Sequence, residues 1–183
     1  MDGLVALDNV VVMLTSNRPD YLDPAILRPE RIDRKVKVGR PDHRATQEIF
    51  GIYLHSSVPL DPGTVREHGD DPEAARQMMI REATRYLFRE TPQAEFLEVH
   101  LRNGGVQTLY WKDLVSGALI MSVVERAKEF AIRRAIELKS PQEGIGLPDL
   151  ERAICLEYRE SEIFPKSDAQ EDWLKLLDHD PEN

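Results

Sequence analysis

Apolar residues recur along the chain in two rhythms, and the rhythm changes near residue 40. Before that point, residues 10–14 are short, continuous and β-branched, which predicts a strand buried on both faces of a parallel sheet. Residues 34–38 alternate charged and β-branched side chains, as an edge strand would. After that point the spacing is mostly three and four. Asp42 caps a helix predicted over residues 43–54, with Ala45, Ile49, Phe50 and Tyr53 on one face. Residues 56–70 hold two prolines, two glycines and few apolar side chains, which predicts a loop. Asp71-Pro72-Glu73 opens a helix to about residue 89, with Ala75, Met79, Ala83, Tyr86 and Leu87 recurring at three and four. The pair Met78-Met79 reads as core packing rather than as an adaptable peptide groove.

Residues 96–101 and 106–111 flank Asn103-Gly104, a two-residue hairpin signal. That turn places Leu97, Val99 and Leu101 on one face with Tyr110, Thr108 and Val106, and turns His100 and Gln107 outward. Ser116 caps the longest helix, predicted over residues 117–138, whose buried stripe is Ile120, Val123, Val124, Ala127, Ala131, Ala135 and Leu138. Residues 145–147 are extended, and Pro148 begins a helix through about residue 158. Leu150, Ile154 and Tyr158 form its stripe, with Ala153 and Cys155 at the margins. Residues 169–177 read as one last short helix carrying Trp173, and the terminal residues as frayed.

Composition narrows the chemistry. The 183 residues carry 33 acidic against 24 basic side chains and a formal net charge of -9, which opposes non-specific binding to nucleic acid. One cysteine, Cys155, excludes an internal disulfide and a cysteine-cluster metal site, and its place beside an apolar stripe reads as a buried structural thiol. The five histidines lack metal-binding spacing, so no metal ligands are assigned. No apolar run approaches the roughly 20 residues of a membrane span, and no signal-peptide pattern opens the chain, so the expected compartment is the cytoplasm. There is no G-x-x-x-x-G-K-[ST] phosphate loop and no apolar strand ending in paired acids to hold magnesium.

The candidate chemistry lies in residues 10–38. Asn17 ends the apolar run with a neutral amide, donor and acceptor together, able to hold a water with one group and an anionic oxygen with the other. By itself it is equally a turn residue. Asp23-Pro24 predicts one helical turn, and Arg28 and Arg31 follow three residues apart, each a planar fork suited to phosphate. Alone, such a pair is more often a solvated surface feature.

The order of these parts closely resembles the second region of homology of the AAA ATPases, in which a sensor asparagine precedes D-P-A-[IL]-[LR]-R-P-G-R-[IFL]-D-R. The resemblance implies that Asn17 positions the attacking water near the γ-phosphate of ATP. It also implies that Arg28 and Arg31 are arginine fingers reaching the nucleotide of the neighbouring subunit in a ring. One position departs: Glu30 stands where the family has glycine, and its carboxylate can pair with either arginine. Ser116-Gly117-Ala118 resembles the S-G-A that opens the matching lid helix, where the Gly-Ala backbone lies against adenine; by itself it is an ordinary helix start.

A generic AAA lid has only a short linker before that helix, whereas this chain carries about 60 residues with a helix and a hairpin. The insertion resembles the actinobacterial proteasomal ATPases, the AAA ATPases forming ring-shaped complexes (ARC). The implied fold is an α/β remnant, the last strands of an AAA large domain at residues 1–40, followed by a mainly helical lid domain at residues 41–183 with an insertion at about 56–115. The implied function is that of the C-terminal portion of a hexameric, ring-forming ATPase. The resemblance also implies that the intact protein, with ATP and Mg2+, unfolds ubiquitin-like-tagged proteins and threads them into the 20S proteasome. This chain alone, lacking the phosphate loop and the magnesium-binding acids, is expected to be inactive and to bind neither cofactor tightly. A second reading is a non-catalytic interaction module, or a degenerate homologue, that assembles into such rings or regulates them. Sequence encoded upstream of Met1 separates the two.

Overall fold

The computed structural model describes residues 11, 13–16, 22, 23, 32, 34–100, 105–140 and 143–160. The chain divides into two units, Met1–Val38 and Gly39–Asn183. In the first, the described positions of the two expected strands are not in strands, and Val11 and Val38 are 91% and 90% exposed. A strand exists only where a neighbour takes up its backbone N–H and C=O groups in a ladder. Among the described residues no ladder reaches this unit.

The second unit is the expected helical domain. Its elements are α1 (His43–Tyr53), α2 (Pro62–Glu67), α3 (Pro72–Leu87), β1 (Glu95–His100), β2 (Val106–Tyr110), α4 (Gly117–Leu138) and α5 (Leu147–Glu160). Asp42 caps α1 as predicted, its carboxylate accepting from Ala45 N at 2.7 Å. The buried face of α1 turns on Thr46 and Phe50 rather than on Ala45. Asp71 caps α3 by accepting from Glu73 N and Ala74 N, and Met79 sits fully buried in the core.

Residues 56–70, expected as a loop, hold α2. Asp61 caps it, accepting from Thr64 N at 2.9 Å, and Pro62 occupies the first turn. Val58 and Leu60 just before it are buried, and Leu60 forms a parallel bridge with Ile145. Ile145 N donates to Pro59 O at 3.0 Å and Asp61 N donates to Ile145 O at 2.9 Å. Gly144 is required beside this bridge, because a Cβ there would lie 2.3 Å from the Leu60 carbonyl carbon. The buried guanidinium of Arg76 donates to Leu54 O at 3.1 Å and to Ser56 O at 3.4 Å, tying the same segment to α3.

The hairpin forms, but one residue out of the expected register. Leu97 faces Leu109 and Val99 faces Gln107, instead of Tyr110 and Thr108, with an irregularity between Glu95 and Leu97. Because side chains alternate, that slip makes Leu109 the buried residue of β2 and leaves Val106 exposed. With His100 opposite Val106, positions 101–105 lie between the strands; Asn103-Gly104 lies outside the described residues.

Helix α4 starts and stops where predicted. Its stripe includes Leu119, and it ends at Ala131: Ala135 is half-buried and Leu138 exposed. Arg126 pairs with Glu157 and Glu160 while Arg134 pairs with Asp149, so α5 runs antiparallel to α4. Tyr158 of α5 stacks on Trp111 with ring centroids 5.0 Å apart and donates its hydroxyl to Trp111 O at 2.7 Å. Burial pushes the Tyr158 phenol well above its ordinary value of 10.0. Above about pH 10 the unfolded chain releases this proton while the folded one keeps it, so stability from this group is full below that pH and falls as pH rises. Tyr158→Phe should therefore flatten the alkaline limb of a thermal-melt pH profile. An unchanged slope above pH ~10 would assign that limb to other groups.

Candidate nucleotide-facing site

Only one part of the predicted site lies among the described residues, the start of α4. Ser116 Oγ accepts from Leu119 N at 3.2 Å and Ser116 O accepts from Ile120 N at 3.1 Å. The N–H groups of Gly117 and Ala118 therefore stand outside the helical ladder, at the positive end of a 22-residue helix. Gly117 is half-buried and Ala118 exposed, and a Cβ built on Gly117 would meet nothing within 4 Å. A flat ring can thus approach this backbone without displacing protein atoms. The open face is the chemical capacity of the turn.

The turn is anchored from below. Val115, immediately before the cap, is fully buried, and Arg40 Nη1 donates to its carbonyl at 3.4 Å. Gly39-Arg40-Pro41, the linker leading into α1, thereby meets the segment that opens α4. From the hairpin side, Asp113 accepts from Tyr110 N at 2.8 Å, fixing the turn Trp111–Leu114 that leads into Ser116.

Sequence reasoning missed a bidentate ion pair between α4 and α5. Arg134 donates to both oxygens of Asp149, at 2.7 and 2.9 Å, and also to Glu143 at 3.0 Å and Gly144 O at 2.7 Å. The Asp149 hydrogen bond, followed by that of Glu143, pushes the guanidinium further above its already high value. Asp149 also accepts from Gly146 N at 2.9 Å, closing the first turn of α5. That last contact had a signal, a carboxylate three residues after a glycine at a helix start; the pairing with Arg134 had none. Cys155, expected to be buried, is half-buried, with Sγ 3.0 Å from the Tyr86 hydroxyl.

Residues 41–183 match the family described as ARC, AAA+ ATPase lid domain, and residues 1–40 match the ATPase family associated with various cellular activities (AAA). The chain belongs to the ARC family of AAA ATPases. It is 42% identical over 176 residues to a proteasome-associated ATPase of Acidothermus cellulolyticus, covering 96% of this chain and 30% of the relative. Over 177 residues it is 44% identical to a proteasome-associated ATPase of Acidimicrobium ferrooxidans, with the same coverage, 96% and 30%. The chain thus spans about 30% of the length of these relatives.

Within this ARC chain, Asn17, Arg28 and Arg31 lie outside the described residues, and Gly117 and Ala118 stand at the open turn of α4. Among the described residues no His, Cys, Asp and Glu cluster could hold a metal ion, and no helix is long and apolar enough to cross a membrane.

Proposed function

We propose that this chain is the C-terminal portion of a cytoplasmic, hexameric AAA ATPase that couples ATP hydrolysis to the unfolding of ubiquitin-like-tagged proteins and their delivery to the 20S proteasome. The observation that carries the reading for these residues is the Gly117-Ala118 turn. It offers a side-chain-free backbone face and two N–H groups outside the helical ladder, on the domain that matches the ARC lid. In this reading the face receives the adenine of ATP. Asn17 positions the attacking water, and Arg28 and Arg31 complete the neighbour's site. When bound, Mg2+ neutralises phosphate charge in the intact ring; its ligands are not among the residues assigned here.

A ring of full-length subunits carrying Gly117→Val tests the adenine face. The substitution adds bulk to an open surface, so the lid should keep its melting temperature. The KM for ATP should rise about tenfold, the equivalent of ~1.4 kcal/mol of lost binding, while kcat changes little. The present chain alone should show no micromolar heat of binding with ATP and magnesium. An unaltered KM in the ring would remove the adenine face from this turn.

A further inference from the structure

The C-terminal half of α4 carries apolar side chains that the described residues leave exposed. Ile132 and Ile136 are 58% and 71% exposed, on a helix whose outward positions would ordinarily be polar. They line one wall of a groove of about 710 Å³, opposite Val58 and Pro59 from the segment after α1, with Ile145 between. Lys128 and Lys139 stand at the two ends of the α4 wall, separated by about 16 Å of helix at 1.5 Å per residue. Among the described residues one carboxylate lines the groove, Glu143, and it is taken up by Arg134 at 3.0 Å. Lys128 also holds Glu125 at 2.6 Å, whereas Lys139 projects from the left-handed cap of α4.

We propose that this groove is the docking site for residues 169–177 of the same chain. Ala169, Trp173 and Leu177 recur every fourth residue with Leu174 and Leu176 beside them, so a helix there presents one broad apolar face. Its nine residues would be about 13 Å long, which fits between the two lysines. Charge agrees with shape: residues 161–183 hold seven acidic side chains against two lysines, and Glu171, Asp172 and Asp178 bracket the apolar positions.

The chain can also reach. Helix α5 ends at Glu160, whose carboxylate pairs with Arg126 at 2.6 Å, two positions before Lys128 on α4. Residues 161–168 extended span at most about 26 Å, enough to pass around a helix roughly 10–12 Å across. Because the segment is tethered, its effective concentration is on the order of millimolar, so a weak intrinsic affinity suffices to fill the groove.

Trp173 reports the docking directly, since Trp111 is buried and its signal is removed by subtracting the spectrum of a Trp173→Phe chain. In the full 183-residue chain, Trp173 emission should be blue-shifted and shielded from acrylamide, unchanged by dilution. Ile136→Glu should shift it to the red and raise quenching several-fold, with the far-UV circular dichroism of the lid unaltered because Ile136 is exposed. Lys139→Glu should act in the same direction and more weakly. Met121→Glu, an exposed apolar position outside the groove, should change nothing. The proposal is overturned if Trp173 is as quenchable as free tryptophan in the unmodified chain, or if its shielding survives Ile136→Glu. Shielding that disappears on dilution would give the groove to the tail of a second copy and overturn the intramolecular assignment.

Discussion

Arg28→Ala, in a ring of full-length subunits, is expected to collapse ATP hydrolysis while leaving each subunit's own nucleotide affinity nearly intact. An arginine supplied in trans to phosphoryl transfer is worth about 10³ to 10⁵ in rate, or roughly 4 to 7 kcal/mol of barrier. That is an upper range here, because Arg31 lies three residues away and Glu30 between them can draw one guanidinium into an ion pair. The decisive arm is mixing. A ring combining Arg28→Ala subunits with phosphate-loop mutant subunits should regain activity, since an intact finger can then sit beside an intact site. Glu30→Gly should raise turnover if the carboxylate restrains a finger. Should Arg28→Ala instead lower the melting temperature, with no rescue on mixing, the arginine holds its own subunit together and the finger role falls.

Removing the carboxylate of Asp149 should cost the lid a large share of its stability. The Asp149 side chain is 9% exposed, and it ties α4 to α5 through Arg134 and closes the α5 turn through Gly146 N. Breaking a fully buried pair costs about 3 to 5 kcal/mol. Arg134 is 33% exposed and keeps Glu143 and Gly144 O, which lowers the expectation for Asp149→Ala to about 2 to 3 kcal/mol. For a domain of this size that is a fall of about 10 °C in Tm. The double change Arg134→Met, Asp149→Leu should recover much of it, because it leaves no buried charge unpaired. Thermal melts of the two variants suffice: a fall below ~2 °C for Asp149→Ala would mean that solvent already carries this pair.

Local chemistry made much of the lid legible. Ser116 and the stripe behind it predicted α4 with both ends in place, and Asp42 and Asp71-Pro72 marked the starts of α1 and α3, because a cap and a periodic face act within a few residues of chain. Asp61-Pro62 carries the same signal for α2, but the surrounding glycines and prolines are equally those of a loop. The motif Ser116-Gly117-Ala118 could likewise be named from sequence as a candidate nucleotide-facing turn. What lies between distant segments could not. The hairpin register followed the irregularity between Glu95 and Leu97 rather than the preference of Asn103-Gly104, since burying Leu109 decides which face of β2 turns inward. The Leu60–Ile145 bridge, the Arg134–Asp149 pair and the bond from Arg40 to Val115 join residues 85, 15 and 75 positions apart. The residues at 10–14 and 34–38 have strand character, yet a strand requires a partner's backbone. Sequence determined the longer helices α1, α3, α4 and α5 and the motif at the head of α4. Only the packing of α4 against α1 and α5 decided that no described side chain crowds the Cβ position of Gly117, because that depends on every chain segment that could have covered it.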